Sequence, residues 1–170
     1  MLPEGLLSKL PAVSSSASWL KSAWDVLHRL PGGRQLYSRF LATAIPHAAS
    51  VDVLVVELGP GHCKVELKDE RRVRNHLGSV HAIALAHVAE LAANAALAYS
   101  LEDDMRFIPT EINIRYLKKA HGTITAECNC SPSFGRERQE VVLTVNLSDP
   151  EGNRVAEATQ KVLIGPMPAS

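Results

Sequence analysis

Two periods of hydrophobicity divide the chain. Leu20, Trp24 and Leu27 recur at helical spacing and predict a helix over 17–30. Ser14, Ser15 and Ser16 are its candidate N-caps, and Pro31-Gly32-Gly33 is its stop. Leu36, Phe40 and Ala44 predict a second, shorter helix closed by Pro46. Together these form an N-terminal helical extension, 1–49, suited to cover a sheet edge or the mouth of a pocket. From Ser50 the period shortens to two. Strands are predicted at 51–58 and 63–67, joined by Gly59-Pro60-Gly61-His62. Four more are predicted at 107–117, 123–130, 140–147 and 154–164, the last two joined by a turn over 149–153. In the strand at 123–130, Ile124, Ala126, Cys128 and Cys130 alternate with Thr123, Thr125, Glu127 and Asn129, so its cysteines read as core residues of one face.

Between the second and third strands lies the most apolar stretch, 75–98. From Val80 to Ala98 it has no Lys, Arg or Asp and predicts a helix buried over most of its circumference. Its nine alanines from Ala82 to Ala98 allow a sheet to approach closely. Past the first turn its polar residues are His87, Glu90 and Asn94, which fall on one narrow seam. A carboxylate on a buried helix must be compensated, which makes Glu90 a candidate site residue. Asn94 is placed to orient Glu90 or to bond a neighbouring chain. His87 reads as a satisfied core or interface histidine. Ser79 is the expected cap of the helix. The pattern as a whole is α+β, an antiparallel sheet of six strands around one long helix over 50–165, with a tail at 166–170.

Composition narrows the function classes. The 170 residues carry 18 basic and 18 acidic side chains, which gives no electrostatic case for nucleic acid or an anionic membrane. Apolar residues are 46% and charged residues 21%, as in a soluble globular domain. His87, Glu90 and Asn94 interrupt the one long apolar run, so no stable membrane insertion is expected. Glu4 and Lys9 interrupt the N-terminal apolar run, which does not read as a secretory leader. Three cysteines without a CxxC pair point to a reducing, cytoplasmic setting.

Asn75, His81 and Glu90 have the spacing of a family motif. An Asn or Gln, a His six residues on, and an Asp or Glu nine residues later occur along the central helix of hotdog-fold acyl-CoA thioesterases, particularly the phenylacetyl-CoA type. This chain resembles them over about 50–164. The residue after the His is usually Gly there and is Ala82 here. A Thr often follows four residues after the acid, where Asn94 stands. The stretch NHLGSVHAIALAHVAELA also looks like a less characterised hotdog thioesterase-like family that shares His-Ala. The resemblance implies an acyl-CoA substrate, with coenzyme A as part of it and no further cofactor. It implies Glu90 as general base or nucleophile, the Ala82 N–H as oxyanion donor, and Asn75 as a second contact to the carbonyl. Gly78, Ser79 and His81 would border the thioester. Lys118 and Lys119, at a strand end past Tyr116, are candidates for the coenzyme A phosphates.

Distance constrains this chemistry independently of the resemblance. Ala82 and Glu90 are eight residues apart, about 12 Å along a helix. One carbonyl cannot touch both within a single helix, so the site requires at least a homodimer, with dimer or tetramer left open. Two other readings remain. A hydroxyacyl dehydratase would pair His76 with Glu90, fourteen residues on, but lacks the expected Phe-Pro-Gly and Pro-Gly signals here. A non-catalytic acyl-CoA or lipid binder would need no reacting group. His76, His81 and His87 are spaced by five and six residues and do not share a helical face, so no metal site is expected.

Overall fold

A computed structural model describes residues 18–167. The candidate caps Ser14 to Ser16 and the last three residues of the predicted tail lie outside the described residues. The chain forms helix α1 (Ser18–Leu27), helix α2 (Gly33–Ala44), strands β1 (Val53–Gly59) and β2 (His62–Leu67), the long helix α3 (Ala82–Ser100), and strands β3 (Met105–Tyr116), β4 (Ile124–Asn129), β5 (Gln139–Ser148) and β6 (Arg154–Pro166). The six strands make one antiparallel sheet in the order β1-β2-β4-β5-β6-β3. The sheet curls around α3, and this is the hotdog architecture.

The period-two pattern sets which side chains meet the helix. Cys63, Val65 and Leu67 of β2, Ile124, Ala126 and Cys128 of β4, and Leu143, Val145 and Leu147 of β5 are all buried. They face Leu85, Val88, Ala89, Ala92, Ala93, Ala96 and Leu97 of α3. Each such Leu contributes about 1.5–3 kcal/mol on burial, and the small alanines let backbone and sheet close up. By length and hydropathy α3 could cross a membrane, yet here it is the core helix of the domain, with over half of its residues buried. The β1–β2 turn needs Gly61, at φ 71°, because a Cβ there would lie 2.6 Å from the Cys130 carbonyl oxygen.

The N-terminal helices cover the β1 edge and the far half of α3. The Val55 N–H on edge strand β1 donates to Ser38 Oγ of α2 at 2.9 Å, which satisfies part of an otherwise open edge. Trp24 packs edge-on against Tyr37 with centroids 4.9 Å apart. Tyr99 of α3 donates to Asp25 Oδ1 of α1 at 2.6 Å. Burial, then this bond to a carboxylate, push the Tyr99 phenol up to about 12. At the other end β6 runs to Pro166, two residues beyond the pattern, and the Met167 N–H donates to the Asp104 carbonyl at 2.8 Å.

Candidate active site

The start of α3 is built by the loop before it. Asn75 Oδ1 accepts from the N–H of Leu77 at 2.9 Å and of Ser79 at 3.2 Å, and Asn75 Nδ2 donates to Ser79 Oγ at 3.0 Å. The backbone closes the same loop: the Asn75 N–H donates to the Ser79 carbonyl at 2.8 Å, and the Gly78 N–H to the Asn75 carbonyl at 3.1 Å. Gly78 sits at φ 75°, a left-handed position that explains a glycine there. Two further bonds anchor the loop to the domain, from the Val80 N–H to the Ala120 carbonyl at 2.9 Å and from the His81 N–H to the Val73 carbonyl at 2.7 Å.

Ser79 is therefore not the cap. It is buried and tied to Asn75. The helix begins at Ala82, and His81 caps it, with Nδ1 accepting the Ile83 N–H at 3.1 Å. The serine that propensity favours is consumed by a tighter local network. Among the first helical N–H groups the Ile83 donor is satisfied by His81. The Ala82 N–H remains at the positive end of the helix with no side-chain partner. Tyr116, at the end of β3, donates its hydroxyl to the Ala82 carbonyl at 3.0 Å. Partial burial raises its phenol pKa. In the sequence Tyr116 marks only the strand end before Lys118 and Lys119. Lys118 pairs with Asp149 at 3.3 Å, and Lys119 is exposed beside Ala120, next to the loop. His76 is exposed on the same loop.

Two turns along α3 lies a different kind of arrangement. Glu90 is half-buried, and Asn94 Nδ2 donates to its Oε1 at 3.4 Å. Gln160 Nε2 on β6 donates to Asn94 Oδ1 at 2.7 Å. Gln160 is 1% exposed and interrupts an inward series of Ala156, Ala158, Val162 and Ile164. A polar residue at an inward position of an apolar strand was the signal in the sequence for this missed residue. One turn back, the His87 ring lies against His47, 4.9 Å between centroids. Burial, then His47, lower the His87 pKa, while Glu90 opposes them. Within its own chain His87 is not the satisfied core histidine expected. Its Nε2 and the Gln160 Oε1 are the two buried side-chain atoms among the described residues that lack a hydrogen-bond partner. Each such orphan costs about 1–3 kcal/mol and calls for an explanation. Both flank the Glu90–Asn94 pair.

This seam is also where the sheet fails to cover the helix. Ile83 is 69% exposed, and Ala86, His87, Glu90, Leu91 and Asn94 are half-buried in a stripe along one side. Beside it runs β3, whose Ile112 and Tyr116 are 44% and 46% exposed. Ile112 lies directly across from Gln160 and so points to the same face of the sheet. The candidate residues thus border an open apolar face. A cleft of about 420 Å³ lined by Gln35, Arg39, Lys68 and Arg72 touches none of them. Among the described residues no three His, Cys, Asp or Glu side chains are placed to hold a metal ion.

A model of a domain family of unknown function, DUF4442, matches residues 33–164, most of the chain and of both helical and sheet portions. The protein belongs to the DUF4442 family. Among solved structures, this DUF4442 chain is similar to a structural-genomics protein at 27% identity, covering 87% of this chain and 99% of the other with a TM-score of 0.77. A protein of unknown function from Pseudomonas aeruginosa, given as a probable thioesterase, matches at 24% identity over 81% and 97% of the two chains with a TM-score of 0.70. A thioesterase from Haemophilus influenzae matches at 14% identity over 80% and 92%, TM-score 0.68. At these identities the last two establish the shared fold. No curated protein matches the sequence.

Proposed function

We propose that this DUF4442 protein is an acyl-CoA thioester hydrolase that works as a homodimer or a higher assembly of dimers. One observation carries the reading. The lone carboxylate on the core helix lies on an uncovered face, bonded to Asn94 and through it to Gln160, with two buried polar atoms beside it, His87 Nε2 and Gln160 Oε1, that lack partners. Structural neighbours described as thioesterases on the same fold are in accord with it. A second copy laid across this face with its α3 antiparallel would cover Ile83, Ile112 and Tyr116. It would also bring the Ala82 end of one α3 to Glu90 of the other.

In this reading the thioester carbonyl oxygen takes the Ala82 N–H, helped by the helix dipole, with the Asn75 loop, Gly78, Ser79 and His81 as the adjoining wall. Glu90 of the other chain, oriented by Asn94 and through it by Gln160, accepts a proton from water as the water oxygen attacks the carbonyl carbon. The tetrahedral intermediate then expels the coenzyme A thiolate, which recovers that proton, leaving a free acid. Direct attack by the carboxylate, through an anhydride that water then opens, uses the same residues. Lys119, and Lys118 if released from Asp149, would meet coenzyme A phosphates.

The test is thiol release from a panel of acyl-CoAs of graded length and aromatic character. The reading expects turnover of at least one class, lowered about 10²–10⁴-fold in Glu90→Gln with the fold intact. Tight acyl-CoA binding without turnover would instead make the protein a binder.

A further inference from the structure

We infer that the cleft between α2 and β1 holds the phosphorylated adenosine end of coenzyme A. The inference rests on the acyl-CoA reading and gives the nucleotide a place against the N-terminal extension. The cleft has a volume of about 420 Å³, ordinary for a small-molecule site. It contacts none of the candidate catalytic residues but adjoins the first half of α3 at two points. Arg72 lines it, and the carbonyl of the next residue, Val73, accepts the His81 N–H at 2.7 Å, one residue before Ala82. Ala48 and Ala49 line it from the 3₁₀ turn Pro46–Ser50, whose His47 packs on His87.

Chain geometry sets the reach. Arg74 is bridged antiparallel to Val80, so the segment before the Asn75 loop runs back along the start of α3. The Arg72 backbone therefore lies within about 13 Å of the Ala82 N–H. The pantetheine arm has the backbone length of about four residues, roughly 14 Å when extended. A thioester carbonyl held at the Ala82 N–H thus puts the nucleotide at the mouth of the cleft.

Charge and backbone both suit that ligand. Arg39 and Lys68 are exposed in the cleft and have no ion-pair partner among the described residues. Arg72 pairs with Asp52 at 3.1 Å and with Glu70 at 3.3 Å, and so neutralises the Asp52 carboxylate that also lines the cleft. The two free cations take the phosphates. Half-buried Glu66 is the remaining carboxylate of the lining and offers an acceptor to the ribose hydroxyl. The backbone supplies the rest. The Val55 N–H points out of the sheet edge to Ser38. Val53, two residues back in the same antiparallel ladder, points its N–H and C=O the same way, toward the cleft that it lines. Val53 is 7% exposed, and neither backbone group has a partner among the described residues. A buried donor and acceptor on an open strand edge call for partners. Adenine supplies them, with an acceptor nitrogen beside a donor amino group, and Leu41 and Ala48 give the ring an apolar wall.

The experiment measures, by calorimetry on the whole protein, binding of adenosine 3′,5′-bisphosphate, which carries the nucleotide end without the thioester. The inference expects one site per chain and binding weaker by about tenfold or more in the double variant Arg39→Gln, Lys68→Gln. Both side chains are exposed, and an unchanged melting midpoint confirms the fold. The KM for acyl-CoA should rise by a like factor. Unchanged affinity in that variant, or loss of binding on Lys119→Gln instead, overturns the inference whatever the hydrolysis assay shows. Binding that the double variant loses, in a protein that turns over no acyl-CoA, supports the cleft and removes the hydrolase reading. If the bisphosphate does not bind at millimolar concentration, the cleft assignment falls, and acyl-CoA turnover in the same preparation shows that the hydrolase reading does not fall with it.

Discussion

The two ends of the candidate site on α3 are built to opposite rules. The Asn75–Ala82 end is closed on itself: the Asn75 side-chain oxygen and the Ser79 side chain are bonded within the loop, and the loop is pinned to Val73 and Ala120. The Glu90 end is open. It holds a carboxylate with a single long bond from Asn94, and its two neighbours His87 and Gln160 each carry an unfilled buried valence. The first end owes its shape to its own chain and needs nothing further to present the Ala82 N–H. The second is poorly satisfied alone, as expected where polar groups wait for water, substrate or another protomer. Stability should therefore concentrate at the first end and chemistry at the second.

The largest effect on rate is that of Glu90→Gln. If the division is sound, its loss of about 10²–10⁴-fold comes with an unchanged thermal midpoint. Next is Asn75→Ala, which touches both properties because it removes the acceptor that shapes the loop. We expect about 10–10²-fold lower turnover and a melting midpoint lower by about 3–6 °C, seen by differential scanning fluorimetry. Full activity in a destabilised variant would reduce Asn75 to scaffolding. Gln160→Met should lower turnover about tenfold, since Asn94 loses its anchor. Stability should shift by less than about 1 kcal/mol, because an unpaired acceptor leaves along with the bond. A stability loss with normal turnover would reverse the assignment of that end.

The smallest effect concerns pH. The His87 pKa in the fold lies below its ordinary value of 6.5, through burial and then His47. The unfolded chain thus binds the proton more readily. The contribution to stability is present above pH 6.5 and is lost as pH falls from there toward the depressed folded value. His47 and Glu90 are the titratable groups that act on it. His87→Gln should flatten the fall in melting midpoint between about pH 7.5 and 5.5. An equal fall in wild type and variant would assign the dependence to other groups.

Much of this was legible along the chain. Alternation at Ile124, Ala126 and Cys128 and at Leu143, Val145 and Leu147 marked the inner face, and the apolar run with Glu90 marked both the core helix and its seam. Period-two patterns do not carry strand order, so nothing in the sequence placed β3 at the edge beside β6 or set Ile112 across from Gln160. Capping propensity pointed to Ser79, because the competing network through Asn75 depends on a left-handed turn at Gly78. The His47–His87 contact joins residues 40 positions apart through the N-terminal extension, and local pattern carries no such distance. Gln160 was readable in principle as the one polar inward position of β6.

Whether one site is shared between two chains is tested most directly by mixing two inactive variants. Glu90→Gln removes the base. Ala82→Pro removes the oxyanion donor, and the structure accommodates it: Ala82 is the first helical residue, where proline is favoured, and His81 before it is already extended at φ −67°, ψ 140°. In a mixed dimer one site carries both defects and the other carries neither. After subunit exchange, with each variant incubated alone as control and dimers confirmed by size, the account predicts that activity returns, to about half the wild-type level per heterodimer. Folded heterodimers that remain inactive would contradict it, and would leave Glu90 to work with donors from its own chain.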